Sequence, residues 1–91
     1  MLLKYASELQ SETIMNFYKQ IGVNVKRYRV AKGYSQLDLS IALGHKSVGL
    51  ISQAELCSND KHFNLEHLYK VAYILDCELS DLIENISSPI N

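Results

Sequence analysis

Hydrophobic positions recur every three or four residues along most of the chain, which is the period of an amphipathic α-helix. The longest stripe predicts a helix that ends at Gly33, because glycine is the usual residue just beyond a helix C-terminus. Its apolar positions are Ile14, Phe17, Tyr18, Ile21, Val25 and Tyr28. Shorter stripes predict further helices over about 36–43, 48–56, 65–76 and 79–84. The chain has no Asn-Gly or Asp-Gly hairpin signal, so we expect an all-α fold.

The N-terminal residues carry a helical pattern of their own. Leu2, Leu3, Ala6 and Leu9 predict a short helical segment, either separate or continuous with the next helix. We therefore divide the chain into an N-terminal helical extension (1–15), one helical domain (16–86) and a frayed C-terminal tail (87–91).

Polar residues at the predicted helix starts indicate where each helix begins. Ser35 and Ser47 stand just before the second and third helices, where an N-cap side chain is expected. Asn64 has the same position before the fourth helix. Gly44 and His45 form the break between the second and third helices.

Length and charge narrow the class of protein. A chain of 91 residues with a net charge of −1 is one ordinary globular domain. Its charge is uneven, since residues 16–61 contain seven Lys/Arg and three Asp/Glu while residues 62–91 contain one Lys and five Asp/Glu. This distribution fits one surface that faces DNA and another that faces away.

Nothing in the sequence predicts a membrane span, a secretory signal or a disulfide. No apolar run approaches the roughly 18 residues of a membrane span. Cys57 and Cys77 lie far apart in a chain with no CxxC pair, so we expect a cytoplasmic protein with two packed thiols.

Catalytic and metal motifs are also missing from the sequence. His45, His62, His67 and Cys57 lack the short paired spacings of a zinc site, so no metal is expected. The chain has no phosphate-binding glycine loop and no nucleophile motif, so we expect neither a cofactor nor an enzyme.

Residues 21–83 resemble the helix-turn-helix domain of Cro/CI-type (lambda-repressor-like, XRE-family) transcriptional regulators. The stretches that carry the resemblance are IGVNVKRYRVAKGYSQLDLSIALG, ISQAE and NLEHLYKVAYILDCELSDLI. The resemblance implies a compact five-helix lambda-repressor-like domain that binds double-stranded DNA. The turn GHKS is one residue longer than the common family pattern, and the loop between Glu55 and Leu65 is about two residues longer. Both differences bear on how deeply the third helix enters DNA.

The third helix, over 48–56, is the predicted recognition helix. Its periodicity turns Ile51 and Ala54 inwards and leaves an uncharged outward face. That face consists of Val48, Gly49, Ser52 and Gln53. A Gln amide bonds an adenine edge in two places, Ser contacts several bases and Val touches a thymine methyl, while Gly permits close approach. The plain alternative is an ordinary solvent-exposed face.

The resemblance and the neighbouring sequence predict further DNA and structural contacts. In the family, the residue matching Gln36 binds a phosphate at a helix N-terminus. The turns on either side of the third helix offer other phosphate contacts, namely Lys46, Ser47, Asn59 and Lys61. Arg29 and Glu55 match a partly buried salt bridge that fixes the recognition helix, so we expect a structural role for both.

These features predict a sequence-specific transcriptional regulator, most simply a repressor, that acts as a homodimer. The dimer surface is expected at the C-terminal helices or at the N-terminal segment. The apolar candidates are Ile74, Leu79, Ile83 and Ile86 at one end, and Leu2, Leu3 and Leu9 at the other. One alternative is an antitoxin with a toxin partner, or a restriction–modification controller protein. The other is a protein-interaction module that does not bind DNA.

Overall fold

The computed structural model describes residues 3–86 and confirms the all-α fold, with no strand in that range. Five α-helices and two single 3₁₀ turns follow one another within these residues. The helices are α1 (Ser11–Ala31), α2 (Gln36–Ala42), α3 (Gly49–Leu56), α4 (Leu65–Leu75) and α5 (Leu79–Leu82). The 3₁₀ turns are Ala6–Glu8 and Ser58–Asp60.

Two glycines end helices as the sequence predicts. Gly33 and Gly44 adopt φ values of +80° and +93°, in the left-handed region that favours glycine. After α1 the Tyr34 N–H donates to the Arg29 carbonyl at 3.0 Å. After α2 the His45 N–H donates to the Ser40 carbonyl at 2.9 Å. These bonds satisfy carbonyls that the helices leave free, so the chain turns sharply at both points.

Side-chain caps begin α2 and α4, as expected. Ser35 Oγ accepts from the Asp38 N–H at 2.9 Å, and the Asp38 carboxylate accepts from the Ser35 N–H at 2.8 Å. This backbone bond lowers the pKa of Asp38, as does the Ser35 hydroxyl. Asn64 and His67 form the same reciprocal pair at α4.

The predicted cap at Ser47 is wrong. The helix α3 begins at Gly49, one residue later than expected, and Val48 precedes it without a side-chain cap. The turn continues through Val48, and the first helical hydrogen bond runs from the Ser52 N–H to the Val48 carbonyl at 2.9 Å. Ser47 therefore stands one position too early to cap the helix.

The N-terminal segment that was predicted to be helical, either separate or continuous with the next helix, is helical only in part. The described part of that segment contains only the turn Ala6–Glu8, and Leu2 lies outside the described residues. Leu3 is 71% exposed and finds no core to pack against, and a short helix without packing is marginal in water. The predicted boundary after residue 15 falls inside the continuous helix α1. The predicted tail (87–91) lies outside the described residues.

The core lies where α1 crosses α3, α4 and α5. Its buried hydrophobic residues come from all five helices and from the loop before α4. They are Ile21, Val25, Leu39, Ile51, Ala54, Phe63, Leu68, Val71, Ala72, Leu75 and Leu82. Leu65, the first residue of α4, is 78% exposed and does not belong to this core.

Two residues of α1 make contacts that the sequence analysis did not identify. Gly22 lies so close to α3 that a Cβ placed there would stand 2.4 Å from the Glu55 carbonyl oxygen. Asn24 is fully buried, and its amide donates to the carbonyls of Leu82 and Glu84 at 3.1 and 2.8 Å. Gly22 thus sets the spacing of α1 and α3, while Asn24 fastens the end of α5.

The two cysteines are free thiols, as expected, and both are half-buried. Burial raises the pKa of Cys57 and of Cys77, so both thiols resist ionisation near neutral pH. Within residues 3–86, no helix combines the length and the apolar character that crossing a membrane requires.

We expect the free energy of unfolding to fall when His67 is protonated. Its Nδ1 accepts from the Asn64 N–H at 3.1 Å, which only the neutral ring can do. Burial, with the nearby His45, lowers the pKa of His67 below its ordinary 6.5. The folded state therefore binds this proton more weakly than the unfolded state. This stabilisation is complete above pH 6.5 and is lost as the pH falls through the lowered pKa.

Urea denaturation between about pH 7.5 and pH 5 measures this dependence. His67→Glu is the comparison variant, because a carboxylate keeps accepting from the Asn64 N–H over that whole range. The loss of stability should be smaller in this variant. Equal losses in the two proteins would show that His67 is not the group that titrates.

Candidate nucleic-acid interface

The predicted recognition helix α3 packs mainly against α1 and α2. Ile51 and Ala54 are fully buried, which confirms the predicted inward face. Leu50 is half-buried beside them against the same core. The opposite face of α3 is therefore directed away from the core.

A buried network of hydrogen bonds anchors the C-terminal half of α3 on the side that faces the rest of the domain. Glu55 is 4% exposed, and its carboxylate accepts from Arg29 Nε at 2.7 Å and from Arg29 Nη2 at 3.1 Å. The same guanidinium donates through Nη1 to the Tyr34 carbonyl at 2.8 Å. The structure thus brings the predicted pair Arg29 and Glu55 together as a two-pronged ion pair, which ties α3 to the end of α1.

Gln36 joins this network, a contact that the sequence analysis missed. Its Nε2 donates to Glu55 Oε1 at 3.1 Å from the first position of α2. A carboxamide has a second N–H and an acceptor oxygen, so this bond leaves part of the side chain free for another contact. The network therefore links the start of α2 to α1 and α3.

The four predicted base-contacting residues lie together at the outward face of α3. Val48 is 38% exposed, while Gly49, Ser52 and Gln53 are half-buried. Ser52 Oγ donates to the Gly49 carbonyl at 3.3 Å, which leaves its lone pairs free. The Gln53 amide has no hydrogen-bond partner among residues 3–86. The face is thus uncharged and carries one unused amide.

Gly49 is not required by the fold. A Cβ placed there would meet only Ser47 Oγ, at an ordinary 3.7 Å, and the residue has no positive φ. Glycine stabilises a helix less than alanine does, by up to roughly 1 kcal/mol in a helix interior, so helix propensity does not favour glycine at this first position of α3. What glycine does provide is a helix surface without a side chain, at the start of α3.

Four of the five predicted phosphate-contacting residues lie at the two ends of α3 and are exposed, while the fifth, Gln36, is half-buried at the start of α2. Lys46 and Ser47 are in the turn before α3, and Asn59 and Lys61 are in the loop after it. That loop is sharply bent, with φ values between 53° and 57° at Cys57, Asn59 and Asp60. Cations therefore stand near both ends of the candidate helix.

The positive charge available to this interface is smaller than the sequence suggests. Arg29 is neutralised by Glu55, and Arg27 forms an ion pair with Glu84 from the acidic C-terminal region. Lys46 and Lys61 are the flanking cations.

The histidines do not form a metal site in the described part of the chain. Within residues 3–86 there is no group of three or more His, Cys, Asp or Glu side chains placed to share a metal ion. His62 instead stacks on Tyr18 with ring centroids 3.7 Å apart. His67 caps α4.

We compared the chain with protein-family models, with curated proteins and with solved structures, and no significant match was found. The candidate interface is thus defined by its own geometry. Its parts are the uncharged outward face of α3, the buried Arg29–Glu55–Gln36 network behind it and the exposed cations Lys46 and Lys61 beside it.

Proposed function

We propose that this protein is a sequence-specific DNA-binding transcriptional regulator that places α3 in the major groove. The observation that carries the proposal is the contrast between the two sides of α3. Behind the helix, three hydrogen bonds fix the buried Glu55 carboxylate. In front, the uncharged face leaves the Gln53 amide unused. The resemblance of residues 21–83 to Cro/CI-type (XRE-family) regulators supports the same function.

In this proposal, the outward face of α3 reads base edges. A major groove admits one α-helix, and its edges distinguish all four base pairs. The Gln53 amide bonds an adenine edge, and Ser52 contributes its free lone pairs. Val48 contacts a thymine methyl, while Gly49 lets the backbone approach closely.

The flanking residues position the protein on the DNA backbone. Lys46 and Lys61 bind phosphates by charge, and Ser47 and Asn59 bind them by hydrogen bonds. Gln36 acts through its remaining N–H and through the free backbone amides at the start of α2. These contacts carry no sequence information, but they fix the depth and direction of α3.

A single recognition helix contacts about 3–4 base pairs, so useful specificity requires a homodimer on two half-sites. Occupancy of such a site in the cytoplasm blocks polymerase at a promoter. We therefore propose repression as the simplest mode of regulation.

Two alternatives use the same fold differently. An antitoxin or a restriction–modification controller keeps the DNA interface and adds a toxin partner or a linked restriction gene. A protein-interaction module does not bind DNA, and the net charge of −1 and the pairing of Arg27 and Arg29 with carboxylates favour this alternative. The salt dependence of DNA binding separates it from the other two.

We expect Gln53→Ala to weaken binding to the protein's own upstream DNA by roughly 1–3 kcal/mol, because it removes a two-pronged base contact. Binding to random DNA should not change, since that binding depends on phosphates. Fluorescence anisotropy with both DNAs across a salt series measures the two effects separately.

Lys46→Ala is the matched control for this experiment. It should weaken binding to both DNAs alike and reduce the slope of log K against log salt by about 0.9, the value for one phosphate contact. If wild-type protein binds neither DNA in a salt-dependent manner, the protein-interaction alternative replaces the regulator. If Gln53→Ala and Lys46→Ala have the same effect on both DNAs, α3 does not read bases.

A further inference from the structure

The apolar stripe of α1 is longer than the core that it covers. Ile21 and Val25 on this stripe are buried at 2% and 0% exposure. Ile14 and Phe17 continue the stripe towards the N-terminus, but they remain 44% and 42% exposed. The buried core therefore ends at Ile21, about one helical turn from Phe17, although the apolar pattern of α1 continues to Ile14.

The residues before α1 extend this uncovered surface. We call residues 3–17 the N-terminal arm. It also carries Leu3, Tyr5 and Leu9, which are 71%, 62% and 38% exposed. The molecule measures 49 × 27 × 18 Å, so its long dimension exceeds the roughly 31 Å of a 21-residue helix. Of the sixteen large hydrophobic residues that are exposed among residues 3–86, the arm carries five.

Grooves lie along both sides of the arm. Phe17 lines one of about 340 Å³ with Asn85 and Ile86 from the C-terminal end. Ile14 lines another of about 340 Å³ on the side of the α3–α4 loop, together with His62. The groove beside Phe17 is the one along which a second helix can pack, because the groove beside Ile14 is also lined by Lys61, which we propose contacts DNA.

We propose that the N-terminal arm is the surface through which two copies of this chain form a dimer, and this inference rests on the proposed function. The two α1 helices lie antiparallel about a two-fold axis, with Ile14 of each copy against the partner's Phe17. The arm contains Lys4, Glu8 and Glu12, so its net charge is −1 and repulsion between copies is weak. A polar rim of Thr13, Asn16 and Gln20 borders the contact.

The area of the arm matches a dimer of moderate stability. The exposed fractions of its five hydrophobic residues add up to about two and a half whole residues per copy. At roughly 150–250 Å² each, the range for a large aromatic side chain, two copies that cover the whole arm bury about 800–1,300 Å², which is close to the roughly 1,000 Å² that a specific interface requires. The dimer should consequently depend on protein concentration.

The C-terminal candidates present less free apolar surface. Ile74 and Ile86 are already half-buried against the chain's own core. Leu79 and Ile83 are exposed, at 36% and 43%, but they are only two side chains. Ile86 lines the same groove as Phe17, whereas Ile74 and Leu79 line a separate groove of about 740 Å³ together with Tyr69 and Tyr73.

Sedimentation equilibrium without DNA tests this inference. Phe17→Glu should raise the dimer Kd by at least ~30-fold, as for a central apolar contact. Val23→Glu is the matched control, because Val23 is 53% exposed on the opposite face of α1, and its dimer Kd should not change. Ile83→Glu tests the C-terminal end, and it should change the dimer Kd by less than about 3-fold.

A second variant guards against misfolding, since Phe17 packs edge-on against Tyr18. Leu3→Glu with Leu9→Glu changes only residues outside the α-helices, and it should weaken the dimer while leaving the circular dichroism spectrum intact. A wild-type protein that stays monomeric, or one dissociated only by Ile83→Glu, overturns the inference. DNA is not needed for any of these results. A monomeric variant that still binds a single half-site shows that the DNA interface is intact.

Discussion

Replacing Glu55 with alanine is expected to lower the free energy of unfolding by about 3–5 kcal/mol. The side chains of Arg29 and Glu55 are only 8% and 1% exposed, so the guanidinium would stay buried without its counter-charge. Gln36 would lose its acceptor as well. This loss of stability is larger than the net contribution of the ion pair, because a buried charge without its partner destabilises the fold more than the absence of both charges.

A double-mutant cycle measured by urea denaturation tests this explanation. Arg29→Met and Glu55→Met should each destabilise strongly, while the two changes combined should cost less than either single change, since no charge is left buried. Glu66→Ala is the control, because Glu66 pairs with Lys70 at 2.9 Å on the exposed side of α4. It should cost under about 1 kcal/mol. If Glu55→Ala is equally mild, the network does not hold α3.

The helical stripes could be predicted from the sequence because each records a local period. Gly33 and Gly44 end helices through their own backbone freedom, which is also a local property. The start of α3 could not be predicted in this way. Whether Ser47 or Val48 stands at the N-cap depends on how many residues the turn needs, and the turn is shaped by the packing on both sides of it. The segment before α1 forms only one 3₁₀ turn for a related reason, since its apolar residues Leu3 and Leu9 stay exposed and gain no packing.

The candidate site likewise combines features that could be predicted from the sequence with contacts that could not. The outward and inward faces of α3 follow from periodicity, and the pair Arg29–Glu55 follows from a resemblance. The hydrogen bond from Gln36 to Glu55 joins residues 19 positions apart. The hydrogen bonds from Asn24 to the end of α5 join residues 58 and 60 positions apart. Contacts between residues so distant in sequence leave no local pattern from which they could be predicted. For the same reason the net charge of residues 16–61 overstates the free positive charge, because Arg27 forms an ion pair with Glu84, 57 positions away.

Gly22→Ala is expected to lower the free energy of unfolding by about 3 kcal/mol, which is the upper end for overpacking a tight contact. The new Cβ would stand 2.4 Å from the Glu55 carbonyl oxygen and 2.9 Å from the Ala54 carbonyl oxygen. Both atoms belong to the backbone of α3, so no side chain can rotate away. The helices must separate, and the better helix propensity of alanine, about 1 kcal/mol, offsets only part of this cost.

Gly49→Ala is the matched comparison and should show the opposite pattern. Its Cβ meets nothing closer than 3.7 Å, so the fold should keep its stability or gain up to about 1 kcal/mol from helix propensity. Binding to the upstream DNA should nevertheless weaken, because the added methyl group lies on the face that we propose enters the groove. Urea denaturation and fluorescence anisotropy on both variants separate the two roles. Gly22 would then set the position of α3 within the fold, and Gly49 would set how closely α3 approaches DNA. If Gly49→Ala binds DNA as wild type does, that face of α3 does not touch the bases.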